Sequence, residues 1–168
     1  GEIVGDLLAD QVNSGGADVV QIFDTWAGLL SNEDYRNLSQ IATEKAIQVF
    51  REKSKKFVPL IHYAKGTGHL HNQIRDMDIQ GLSLDWRDDM RYNRENYGEM
   101  IAFQGNLDPS KLHGSTDVAK EAAARVLKLA GGKPGHIFNL GHGFAPSARI
   151  DCVAVSYTHL RAHETKKH

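Results

Sequence analysis

Ile79-Gln80-Gly81-Leu82-Ser83-Leu84-Asp85-Trp86, the charged stretch Arg87–Tyr97 and Met100-Ile101-Ala102-Phe103-Gln104 together decide the fold. In the first run Ile79–Leu84 is apolar and of strand length, and Asp85-Trp86 ends it. The middle stretch reads as a helical turn, and the last is a second short apolar strand. The same alternation continues on both sides. Toward the N-terminus, Ala17–Phe23 and Phe57–Tyr63 are strand candidates. Between them Ser31-Asn32-Glu33-Asp34 reads as a capping box that opens a helix to about Lys53, with Leu38, Ile41, Ala42, Val49 and Phe50 inward. A short helix covers His69–Met77. The chain starts on a helical period, with Ile3, Leu7, Leu8 and Val12 on one face, and Gly15-Gly16 closes it. Toward the C-terminus, Ser115 or Thr116 caps a helix in which Val118, Ala122, Val126 and Leu129 share a face. Gly131-Gly132 ends that helix, and His136–Leu140 is a fifth strand.

Strand and helix alternating with short turns call for parallel strands joined by right-handed crossovers, an α/β fold. An open doubly wound sheet and part of a (β/α)8 barrel both fit. Five strands cannot close an eight-stranded barrel, for which ~250 residues is typical. No glycine-rich dinucleotide or P-loop fingerprint follows a strand.

Composition narrows the classes further. The 168 residues are 40% hydrophobic and 24% charged, ordinary for a globular chain and unlike a disordered one. Twenty Lys and Arg against 21 Asp and Glu leave a net charge of -1, so no overall field attracts nucleic acid or an anionic membrane. No apolar run reaches the ~20 residues of a membrane span, and no signal peptide is visible. The single cysteine, Cys152, excludes an internal disulfide framework and a multi-thiolate metal site, and suits a reducing cytoplasm. The ends read as those of a truncated chain. Gly1 opens a helix with no entry cap, and the text after about residue 154 has no amphipathic period. Residues 155–168 resemble translated sequencing-adapter DNA, so the domain is expected to be 1–154 and His159, His163 and His168 are set aside as a metal-binding tail.

Chemically capable residues follow each strand, where parallel α/β folds gather their sites. They are Asp24-Thr25-Trp26, Lys65, Asp85-Trp86, Gln104-Gly105-Asn106-Leu107-Asp108-Pro109 and Gly141-His142-Gly143. Each has a plain alternative. Thr25 could equally cap a turn, while His142, between two glycines, is better placed for a ligand than a core histidine. Lys65 reads first as a solvated loop lysine, Asp85 as a turn cap, and Asn106 and Asp108 as turn-makers. Trp26 and Trp86 read as packing. His62, His69 and His71 are not spaced as a metal set.

Four of these segments, in order, resemble the uroporphyrinogen decarboxylase family. Gln21-Ile22-Phe23-Asp24-Thr25-Trp26-Ala27-Gly28 is similar to its signature segment, and Gly81-Leu82-Ser83-Leu84-Asp85-Trp86 to its glycine-to-LDW strand. Gln104–Pro109 matches its QGNLDP turn and His136–Gly143 its FNLGHG segment. The resemblance implies part of a (β/α)8 barrel, about strands four to eight with their helices. It implies cofactor-free decarboxylation of the four acetate side chains of uroporphyrinogen III to coproporphyrinogen III, by a cytoplasmic homodimer of porphyrin biosynthesis. It places Phe23, whose backbone approaches the macrocycle, with Thr25 and His142 at the substrate, His142 being also the catalytic candidate. Arginines, an aspartate and a tyrosine are expected from an earlier part of the barrel. Ser83 and Ile61-His62-Tyr63 depart from the family pattern. Two alternatives remain, a corrinoid-linked methyltransferase relative with histidine and cysteine zinc ligands, and a non-catalytic tetrapyrrole-binding homologue.

Overall fold

The structure, a computed structural model, describes residues 1–164. The expectation for Lys166-Lys167-His168 lies outside the described residues, as do the side chains of His159 and His163. Two compact units divide the chain, Gly1–Ser83 and Leu84–His168.

In the first unit α1 (Glu2–Asn13) leads to β1 (Val20–Phe23) and a 3-10 turn (Ala27–Leu29). Ser31 then caps α2 (Asn32–Asp34), its Oγ accepting the Asp34 N–H at 3.1 Å and donating to the Asp34 carboxylate at 2.8 Å, so the capping box is present. A π-helical stretch (Tyr35–Gln40) joins it to α3 (Ile41–Lys53). β2 (Leu60–Tyr63), α4 (His71–Arg75) and β3 (Gly81–Ser83) complete the unit. β1, β2 and β3 pair in parallel, with Ile22 opposite His62, Phe23 opposite Tyr63 and His62 opposite Leu82.

The inward faces match the sequence expectation only in part. α1 buries Gly5, Leu8, Ala9 and Val12, while Ile3 and Leu7 face out. Along α3, Thr43, Ala46, Ile47 and Phe50 keep the spacing i, i+3, i+4, i+7, with Val49 beside them. Leu38, Ile41 and Ala42 are exposed. Ile41 lies across the helix from this stripe, and Leu38 falls in the π turn, which rotates side chains out of the α period. Close packing explains the use of small residues. A Cβ on Gly5 would sit 2.6 Å from the Ala46 carbonyl oxygen, so α1 and α3 meet backbone to backbone.

In the second unit Asp89 caps α5 (Met90–Tyr97), and β4 (Ala102–Gln104) leads to a 3-10 turn (Pro109–His113). Ser115 caps α6 (Thr116–Leu129), accepting the Val118 N–H at 3.3 Å. β5 (His136–Ile137) pairs in parallel with β4, and an isolated bridge joins Leu107 to Leu140. α6 buries Ala119, Ala122, Ala123 and Val126, so Val118 is exposed and Leu129 only half-buried, again a correction toward the small residues. The core joins Leu107, Leu112, Ala119, Ala122, Val126 and Cys152. α7 (Ile150–Glu164) ends the unit and runs past residue 154. All five strands are shorter than their sequence limits. Among the described residues no helix is long and apolar enough to cross a membrane.

Candidate functional site

Sheet alternation sorts the first unit's strand-end residues onto two faces. On one face Phe23 meets Tyr63 edge to face, with ring centroids 5.8 Å apart. Thr25 lies in the turn two residues beyond Phe23, and its hydroxyl has no hydrogen-bond partner among the described residues. The alternative in which Thr25 caps a turn therefore gains no support. The turn is held by backbone instead, the Ala27 N–H donating to the Asp24 carbonyl at 3.2 Å. Phe23 is 69% and Trp26 67% exposed, so the aromatics form an open apolar surface beside the Thr25 hydroxyl.

The opposite face carries a cluster that the sequence reading missed. Asp24 accepts a short hydrogen bond from Ser39 Oγ, and its backbone N–H donates to the Tyr63 carbonyl at 2.8 Å. His62 is fully buried, with no hydrogen-bond partner on either ring nitrogen. Burial pushes its pKa down to about 4, opposed by the Asp24 charge. Tyr35, also fully buried, has its hydroxyl unpartnered, and burial followed by the charges of Asp24 and Glu44 pushes its pKa well up. Only the odd polar residue in the apolar strand, His62, could have signalled this cluster.

In the second unit His142 is half-buried and stacks on Trp86, with centroids 6.1 Å apart and planes 27° apart. Gly141 makes that stacking possible, since a Cβ there would lie 2.3 Å from the Trp86 backbone nitrogen. The neighbouring polar residues build the turns, as the plain readings expected. Asp85 is fully buried, pairs with the Arg87 guanidinium and accepts the Arg87 N–H at 2.7 Å. Asn106 Nδ2 donates to the Asp85 carbonyl at 2.9 Å and the Asp88 carbonyl at 2.8 Å, tying two turns together. Asp108 caps the 3-10 turn through the Ser110 N–H at 2.9 Å. His136 Nε2 donates to the Gly105 carbonyl at 2.7 Å, and burial lowers its pKa. A cleft of about 510 Å³, lined in part by Trp86, Asn106, Asp108, Lys111 and Arg125, opens beside these turns, and His142 is not on its wall.

A family model described as uroporphyrinogen decarboxylase (URO-D) matches residues 1–163. The chain belongs to this family. It is 42% identical over 144 residues to a uroporphyrinogen decarboxylase of Coxiella burnetii, covering 83% of this chain and 39% of that protein. A Koribacter versatilis uroporphyrinogen decarboxylase is 38% identical over 151 residues, covering 90% and 42% respectively. The chain thus spans about two fifths of the length of the curated relatives it matches. Among solved structures, a methyltransferase from Methanosarcina mazei superposes with a TM-score of 0.78 at 20% identity, over 97% of this chain and 47% of that one. A B12-independent methionine synthase from Shewanella gives 0.67 at 10% identity, over 98% and 54%. Those two likenesses speak for the fold alone.

Within the family match, the methyltransferase alternative would need thiolate and imidazole ligands. Cys152 is buried in α7 against the Gly114 carbonyl, its Sγ 3.6 Å away, and lies in the core cluster. Among the described residues no group of three His, Cys, Asp or Glu could hold a metal ion. These residues do not fit a zinc site.

Proposed function

We propose that this segment supplies about strands four to eight of a (β/α)8 barrel that decarboxylates the acetate side chains of uroporphyrinogen III to give coproporphyrinogen III. The observation that carries this reading is Thr25. Its hydroxyl, uncommitted within the described residues, stands at a strand end between exposed Phe23 and Trp26, inside the segment that resembles the family signature. The complete protein would be a cytoplasmic homodimer.

The chemistry asks little of a cofactor. Each acetate arm loses CO2 and gains one proton, becoming a methyl group. The electron pair left behind needs a sink, and a pyrrole protonated on a ring carbon provides one. The protein's work is then to bind a polyanionic macrocycle, orient one arm and move protons. Thr25 donates a hydrogen bond to a substrate carboxylate. His142, oriented by its stack on Trp86, hydrogen-bonds another carboxylate. The strongest cations and the aspartate for the pyrrole N–H groups come from the preceding part of the barrel.

The experiment incubates uroporphyrinogen III anaerobically with the full-length protein and, separately, with the 168-residue chain, and resolves the oxidised porphyrins by chromatography. Coproporphyrinogen is expected from the full-length protein and none from the chain alone. No turnover by the full-length protein overturns the function. Clear turnover by the chain alone overturns the division of the site between two parts of a barrel.

A further inference from the structure

We infer that Lys65 is a further substrate-binding group, pairing with Thr25 to hold one carboxylate arm against the Phe23–Trp26 surface; this deepens the decarboxylase reading and rests on it. The register brings the two turns together. Phe23 lies opposite Tyr63 at the ends of adjacent parallel strands, and Thr25 and Lys65 each lie in the turn two residues beyond, at the same edge of the sheet.

The backbone beneath them is held tightly. A Cβ on Gly28 would approach the Lys65 carbonyl oxygen to 2.1 Å and that of Gly66 to 2.7 Å, so the loop after β1 rests directly on the turn after β2. Thr67 Oγ1 closes that turn on the Ala64 carbonyl at 3.0 Å. His69 Nε2, 2.9 Å from the Leu30 carbonyl, fastens the far end of the loop. Lys65 therefore springs from a fixed platform, unlike a lysine on a solvated loop.

Its charge is not spent inside the chain. The Lys65 ammonium lies 4.8 Å from the centre of the Trp26 ring, and no carboxylate pairs with it among the described residues. Lys53 and Lys56 of the same unit do have carboxylate partners, Asp6 and Asp18. Asp24, the acid nearest in sequence to Thr25, is engaged by Ser39. A cation–π contact is weaker than a charge-assisted hydrogen bond and leaves the three ammonium N–H groups available. An ammonium over an exposed indole ring, with an uncommitted hydroxyl in the neighbouring turn, suits a carboxylate carried on a flat, apolar-faced body.

The test uses Lys65→Gln and Lys65→Arg in the full-length protein. Two readouts are taken on each: steady-state kinetics with uroporphyrinogen III, and binding of the octacarboxylate uroporphyrin by fluorescence titration. Lys65→Gln is expected to raise KM and weaken uroporphyrin binding about tenfold, with kcat changed less than about twofold, and Lys65→Arg to recover most of the loss. A KM and an affinity both within about twofold of wild type in Lys65→Gln overturn the assignment, as does a loss that Lys65→Arg fails to recover at all. If the wild type binds uroporphyrin through Lys65 but does not turn over, the carboxylate site stands and the decarboxylase reading falls.

Discussion

Acidification between pH 7 and 5 should destabilise the fold through His62. Its ring is fully buried with both nitrogens unpartnered, and its folded pKa lies near 4 against 6.5 for an ordinary imidazole. Over the interval between those values the unfolded chain binds a proton that the folded chain does not, so stability must fall as pH falls. The contribution is fully present above about pH 6.5, erodes below it and is exhausted near pH 4. The shift corresponds to about 3 kcal/mol in total, of which about 2 kcal/mol is lost between pH 7 and pH 5. His62→Leu removes the titrating group and two unpartnered buried nitrogens, and should lie above wild type at pH 5 by about 2 kcal/mol or more. The assay is urea unfolding at pH 7, 6, 5.5 and 5, with amide hydrogen exchange at Leu60–Tyr63 reporting the first unit. Wild type and His62→Leu losing stability in parallel over this range would refute the reasoning, as would a His62 ring resonance titrating near pH 6.5.

Four further outcomes follow from the geometry. Thr25→Val in the full-length protein should lower kcat/KM about tenfold and Thr25→Ser should restore it, since one charge-assisted hydrogen bond is at stake; equal activity in Thr25→Val removes the hydroxyl from the site. His142→Ala should likewise lower kcat/KM by at least about tenfold while leaving the melting temperature nearly unchanged, because the ring is only half-buried; an unchanged kcat/KM removes His142. Gly28→Ala should cost about 2 to 3 kcal/mol by thermal melting, because its Cβ meets the Lys65 carbonyl oxygen at 2.1 Å. Arg94→Met should lower the second unit's urea midpoint by the equivalent of about 1 to 3 kcal/mol, since Arg94 donates to the carbonyls of Ala130, Lys133, Pro134 and Gly135 at 2.9 to 3.3 Å; a midpoint within error of wild type contradicts that role.

How much of this was legible in the sequence depended on which physical cue each feature used. Alternation fixed the element order, because a strand and a helix leave different hydrophobic periods. The caps at Ser31 and Ser115 followed from local chemistry that needs no partner from elsewhere in the chain. The helix faces followed only in part, Leu8, Val12, Val49, Phe50, Ala122 and Val126 being buried as expected, and the misses share one reason. α1, α3 and α6 each bury a stripe at i, i+3, i+4, i+7 that includes Gly5 and Ala9, Thr43 and Ala46, or Ala119, Ala122 and Ala123. Adding bulky residues such as Ile3, Leu7, Ile41 and Val118 to the face rotated it partly off the true contact, since close packing selects small side chains.

The same distinction separates structural from functional residues within the motifs. Asp85, Asn106, Gly28 and Gly141 are engaged with the chain itself, holding turns or permitting backbone contact. A motif match alone cannot tell such residues from ligand-binding ones, because both kinds are tied to their positions. What tells them apart is whether the polar group already has a partner. By that criterion Thr25 and Lys65 in the first unit are left with chemistry to offer, and His62, which matches no motif, is left with a cost. An uncommitted donor that remains exposed at a strand end can be repaid by a ligand. An unpartnered nitrogen buried behind the sheet cannot, and so it surfaces as pH sensitivity.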